Sequence, residues 1–123
     1  MKLRIEGNTL RLRLRKSEVA QLAKNGRVAD HTQFPNGKLE YVLELKTNIK
    51  DITAIFSAQE ISIGMPEAWG KAWVEDSRVG FQAALRISDD VALDLLVEKD
   101  FVCLDRDLNL QADQFPHPKT SKP

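Results

Sequence analysis

Few side chains in this 123-residue chain have the chemistry of catalysis. Cys103 is its one thiol, and His31 and His117 are its two imidazoles; a cysteine beside a histidine base is a common nucleophilic pair. Cys103, however, lies between Val102 and Leu104 with no neighbouring group to depress its pKa, so it reads as a small buried hydrophobe. Asp105-Arg106-Asp107-Leu108-Asn109 opens like a calcium loop, whose alternating carboxylates converge on one hard cation. Leu110 then stands where the sharp turn needs glycine, and Pro116 where the bidentate glutamate belongs, which excludes an EF-hand. Looser oxygen ligation by Glu98, Asp100, Asp105 and Asp107 competes with their reading as ordinary surface carboxylates. No Cys/His cluster has zinc spacing, no glycine-rich loop cradles phosphate and no nucleophile elbow is present. No cofactor is expected.

The arginines carry the stronger signal. Lys2, Arg4, Arg11, Arg13, Arg15 and Lys16 put six cations into the first sixteen residues, where Glu6 is the only acid. Leu10, Leu12 and Leu14 alternate with Arg11, Arg13 and Arg15, a period of two that only a strand turns into one apolar and one basic face. Guanidinium groups in a row bind carboxylate or phosphate bidentately, so Arg4, Arg11, Arg13 and Arg15 form the candidate ligand-binding set. The competing reading is internal: residues 89–107 hold seven acids against Lys99 and Arg106, enough to pair with the basic strands within a chain or between two chains.

These residues need a scaffold to hold them. Lys2-Leu3-Arg4-Ile5, a Gly7-Asn8 turn and the Leu/Arg run predict a hairpin over residues 2–15. Ser17 as N-cap, a Val19, Leu22, Ala23 stripe and the stop at Gly26 predict a short helix. Extended runs either side of Pro35-Asn36-Gly37 predict a second hairpin, and a strand from Thr53 to Ile63 carries a bulge or break at Ser57 to Gln59. Pro66 opens a helix bearing Trp69, Ala72 and Trp73, with Trp69 and Trp73 as core anchors, and Val79 to Ile87 and Val91 to Val97 form a third hairpin around Ser88-Asp89-Asp90. No internal repeat with a period of 20 to 50 residues is evident. The expectation is an α+β domain over residues 1–112, an antiparallel twisted sheet or partly closed barrel of about six to eight strands with two short helices, and a flexible tail over 113–123.

Eighteen basic and eighteen acidic residues cancel to a net charge of zero, which argues against nucleic acid as the partner, since no long-range pull on a polyanion is available. The densest apolar run, Val91 to Leu104, is interrupted by Asp94, Glu98, Lys99 and Asp100, so no membrane span is expected. The opening residues alternate charge with aliphatics, unlike a signal peptide, and one cysteine forms no internal disulfide. Both point to the cytoplasm.

Lys2 to Leu14, then Ser17-Glu18-Val19, and later Leu95-Leu96-Val97-Glu98-Lys99-Asp100-Phe101 with Cys103-Leu104 and Phe115-Pro116, resemble a family of short uncharacterised bacterial proteins over nearly the whole chain. That resemblance implies a bacterial cytosolic protein and no particular activity. Charged strand faces are also similar to those of the triphosphate-tunnel enzymes, but the opening Glu-x-Glu-x-Lys of those enzymes is here Lys2-Leu3-Arg4-Ile5-Glu6, without the paired metal-binding carboxylates. The sequence therefore favours a small non-enzymatic binding or interaction domain, self-associating, whose Arg-rich hairpin meets an anionic small molecule or an acidic protein surface. The alternative is a metal-dependent enzyme acting on a phosphorylated compound, with Glu98 or Asp100 as metal ligand or base.

Overall fold

The computed structural model describes residues 1–101 and 112–116. Eight strands form, several of them where aliphatic and polar side chains alternate: β1 (Lys2–Glu6), β2 (Thr9–Leu14), β3 (Arg27–Phe34), β4 (Gly37–Lys46), β5 (Thr53–Ser57), β6 (Glu60–Pro66), β7 (Gly80–Arg86) and β8 (Ala92–Lys99). Two helices, α1 (Lys16–Asn25) and α2 (Glu67–Trp73), interrupt the hairpins. The chain has the expected α+β character and the expected two short helices.

The strands form two four-stranded sheets, ordered β1-β2-β8-β7 and β3-β4-β6-β5. Every sequential hairpin is antiparallel, but each sheet is joined at its centre by a parallel pair, β2 with β8 and β4 with β6, so the sheets are mixed. No closed barrel forms among the described residues. Strand directions across such a long-range junction are set by how two hairpins dock, which local periodicity does not encode. The break expected near Ser57 is a full reversal: Ser57 pairs with Glu60 around a two-residue turn at Ala58 and Gln59.

This topology is duplicated. The first half runs β1-β2-α1-β3-β4 and the second β5-β6-α2-β7-β8, and exchanging the halves maps one sheet order onto the other. The registers agree: Leu12 lies beside Val97 in one parallel pair, and Ile63 beside Leu43 in the other. A repeat is thus present in the topology although none is evident in the residues. Equivalent positions keep their burial while changing their side chains, and burial is what a repeated core requires.

The core lies between the sheets and beneath the helices, with Leu12, Leu14, Leu43, Ile63, Leu95 and Val97 almost wholly excluded from water. Helix α1 spans ten residues, too few for stability alone in water, and is held by burying Val19 and Leu22. The helices also pack on each other. In α2 the fourth residue is Gly70, where a Cβ would lie 2.3 Å from Leu45 Cδ2. The close approach of Leu45 explains why this helix tolerates a residue that costs about 1 kcal/mol relative to alanine.

Ser17 is not the N-cap. Arg15 holds that position, its N–H donating to Glu18 Oε1 at 2.8 Å, while Asp113 accepts from the N–H and hydroxyl of Ser17 and from the Lys16 N–H through its carbonyl. The orphan donors of the first turn are met by a residue from the far end of the chain. Gln114 and Phe115 dock as well, both on Asp100, and the Phe115 ring lies 5.9 Å from that of Phe101. Residues 113–115, where the sequence places the start of a loose tail, are therefore engaged with the domain.

Candidate functional site

The outer face of the β1-β2-β8-β7 sheet collects the basic residues. Antiparallel pairing sets Lys2 opposite Arg13 and Arg4 opposite Arg11, two like-charge pairs side by side. Such pairs are unfavourable unless acids intervene. The acids are Glu98, on β8, which runs parallel to β2 and sets Glu98 beside Arg13, and Asp100, just past the end of that strand. Glu98 Oε1 lies 3.2 Å from Arg11 Nε and 3.9 Å from Arg13 Nε, one carboxylate shared by two guanidiniums. Arg11 Nε is enclosed, and its approach to Glu98 is an ion pair without hydrogen-bond alignment. Lys2 Nζ reaches the buried Asp100 at 2.9 Å. Arg4 pairs only with Glu6 among the described residues, at 3.3 Å, and its side chain is 62% exposed.

Three of the four candidate arginines thus share one face. Arg15 does not join them: it is held at the start of α1, 3.4 Å from Glu18 and 3.9 Å from Asp113. The hydrogen bond that the Arg15 guanidinium donates to Glu18, and the charge of that carboxylate, favour the protonated guanidinium and raise its pKa. The question of whether the basic and acidic ends meet is answered within one chain, since Arg11, Arg13 and Lys2 are engaged by Glu98 and Asp100. Cys103, Asp105, Asp107 and His117 lie outside the described residues.

A polar cluster that sequence inspection does not reveal lies behind Arg15. The Met1 ammonium, fully enclosed, donates to Glu18 and stands 3.6 Å from Asp30. Burial alone would raise the Glu18 pKa; hydrogen bonds from the Met1 ammonium, the Arg15 N–H and the Arg15 guanidinium outweigh it and hold the carboxyl below its ordinary range. The Tyr41 hydroxyl donates to the Met1 carbonyl at 3.4 Å, and burial pushes its pKa up. The one sequence signal for it is Glu18 in the first helical turn, where an acid also suits the positive end of the helix dipole.

The corresponding corner of the second half is aromatic. Trp69 stacks on Phe81 at 5.2 Å, Trp73 meets Phe81 edge-on, and the Arg78 guanidinium lies 4.4 Å over the Phe81 ring. Lys99, almost buried, donates to the Asp76 carbonyl at 2.7 Å between the Trp73 and Phe115 rings, and burial lowers its pKa. Trp73 is a core anchor as expected, whereas Trp69 is half-buried.

Two mainly apolar surface recesses lie elsewhere among the described residues. One, of about 210 Å³, is lined by Phe34, Leu39, Phe56 and Gln59 among others, and the second, of about 230 Å³, by Leu10, Ala54, Ile55, Phe56, Ile61 and Leu93. Neither of these two is lined by an arginine. Among the described residues no three His, Cys, Asp or Glu side chains converge as metal ligands, and no helix is long and apolar enough to cross a membrane.

No curated protein and no solved structure matches the chain. A family model, described as a family of unknown function (DUF7009), matches residues 1–119, and the chain belongs to that family.

Proposed function

We propose that this protein is a small non-enzymatic binding module whose β1–β2 face, through Arg4, Arg11 and Arg13 with Lys2, docks on an acidic protein surface. The observation that carries this reading is the two-by-two block of cations in like-charge cross-strand pairs, with a single carboxylate, Glu98, serving two of its guanidiniums. An added set of carboxylates relieves that repulsion and finds donors already ordered. The cations are spread over two neighbouring strands, Lys2 and Arg4 on β1 and Arg11 and Arg13 on β2, and this spread matches several carboxylates of a protein surface better than one small anion. Arg15 is committed to the start of α1 and contributes to the scaffold.

Poly-L-glutamate is the probe, titrated calorimetrically at low and at physiological salt. The wild-type protein should bind at low salt and weaken as salt rises. Joint Arg4→Gln and Arg13→Gln substitution should weaken binding by about tenfold or more, and Glu98→Gln should tighten it by releasing two guanidiniums. Wild-type protein that ignores the polymer at low salt, or an Arg4/Arg13 double variant that binds undiminished, overturns the reading.

A further inference from the structure

Four strands end the two sheets, and the chain treats one of them differently. β1 carries Lys2, Arg4 and Glu6, β3 carries Arg27 and Asp30, and β7 ends on Arg86. Charge on an edge strand discourages another chain from adding to the sheet. β5, Thr53-Ala54-Ile55-Phe56-Ser57, carries none. It also presents the two most exposed large hydrophobic side chains of the described residues, Ile55 at 68% and Phe56 at 73%.

Its backbone is open in the same place. The two-residue turn makes Ser57 and Glu60 a hydrogen-bonded pair, and alternation then makes Ile55 with Ser62 a second, so the N–H and C=O groups of Ala54 and Phe56 point away from β6. β7 of the other sheet comes near β5 but forms no ladder with it, and among the described residues these outward groups have no backbone partner.

We propose that β5 is the self-association edge of this protein, pairing antiparallel with β5 of a second copy across a two-fold axis at Ile55. Charge decides the occupant: a neutral edge is complementary to itself, whereas two β1 edges joined in the same way would set Arg4 against Arg4. Centred on Ile55, the pairing lets Ala54 exchange both backbone hydrogen bonds with the second copy's Phe56, and the reverse, giving four. Ile55 then faces the second copy's Ile55 at a non-hydrogen-bonded position, where Cα atoms lie about 4.5 Å apart and side chains pack closest. The inference uses none of the basic residues and stands independently of the acidic-surface reading.

The test is sedimentation velocity of the wild-type protein, Ile55→Lys and Arg4→Gln, with circular dichroism to confirm folding, and an Ile55→Cys substitution in a Cys103→Ser background under mild oxidation. The Cα spacing at the axis lies within the reach of a disulfide. The wild type and Arg4→Gln should be dimeric at about 100 µM and remain so in high salt, Ile55→Lys should be monomeric, and Ile55→Cys should crosslink to a dimer that reductant releases. A monomeric wild type, a dimer that dissociates in high salt, a dimeric Ile55→Lys protein or an uncrosslinked Ile55→Cys protein each overturns the proposal.

Discussion

The two halves of this chain build the same topology from different chemistry. At the third helical position α1 has Glu18 and α2 has Trp69; at the fourth they have Val19 and Gly70; at the seventh, Leu22 and Trp73. The first half closes its corner with ions, joining Glu18 to Arg15 and the Met1 ammonium. The second closes it with rings, stacking Trp69 on Phe81 beneath Arg78. The same divergence marks the edges, where Arg4 of β1 occupies the place that Ile55 takes in β5. What the halves share is position and burial, which the core demands. What they do not share lies at the surface and corners, where a binding face and a self-pairing edge have room to diverge.

The sharpest way to break this comparison is at the seventh helical position, since Leu22 and Trp73 are both fully buried. Trp73→Ala should cost about 3–5 kcal/mol. The indole Nε1–H donates to the Arg78 carbonyl at 2.8 Å and its ring meets Phe81 edge-on, so the loss strands an acceptor as well as emptying volume. Leu22→Ala loses only packing and should cost less, toward the lower end of about 2–5 kcal/mol. Urea denaturation of both variants measures the difference. A smaller cost at Trp73 would show that the aromatic corner is the looser of the two.

An intermediate effect separates the ionic corner from the aromatic one by pH. Because hydrogen bonds and the neighbouring ammonium hold the Glu18 carboxyl below its unfolded value near 4.3, its contribution is fully present above that value. It is lost as pH falls through the lower value of the folded state. Glu18→Gln should therefore cost about 1.5–3 kcal/mol at neutral pH and flatten the acid limb of the stability curve. Trp69→Leu, at the equivalent position, should leave the shape of that limb unchanged. Thermal melts between pH 3 and 7 distinguish them, and parallel acid limbs for wild type and Glu18→Gln would remove the ionic account of this corner.

Legibility from sequence followed the range of the interaction. The three hairpins read from the sequence and both helices were legible because period and turn chemistry are local, and the basic face followed from the alternation of Arg11 and Arg13 with leucines. The parallel junctions were not, because nothing in β2 names β8 as its neighbour. For the same reason, the pairing of Arg11 and Arg13 with Glu98 stayed one of two readings until the register was known. The cap from Asp113 was invisible because it crosses nearly the whole chain, and Ser17 is a good local substitute for it.

The turn between β5 and β6 was legible only as a bulge or break at Ser57 to Gln59, for a different reason: its residues are wrong for a tight reversal. Ala58 and Gln59 both adopt positive φ, 49° and 66°, where side chains are strained, while the equivalent hairpin has Gly7 at φ 54°. A Cβ at Gly7 would meet no atom within 4 Å, so the cost of a side chain at this position is one of backbone strain alone. Exchanging the residues should then give effects of similar size and opposite sign. Ala58→Gly should stabilise by about 1 kcal/mol and Gly7→Ala should destabilise by about as much, a few degrees of melting temperature each way. If Ala58→Gly gives no gain while Gly7→Ala costs the full amount, the strain at Ala58 is already offset by what the turn holds in place. That role would fall to the hydrogen bond from the Glu40 N–H to the Gln59 carbonyl, which ties this turn to β4.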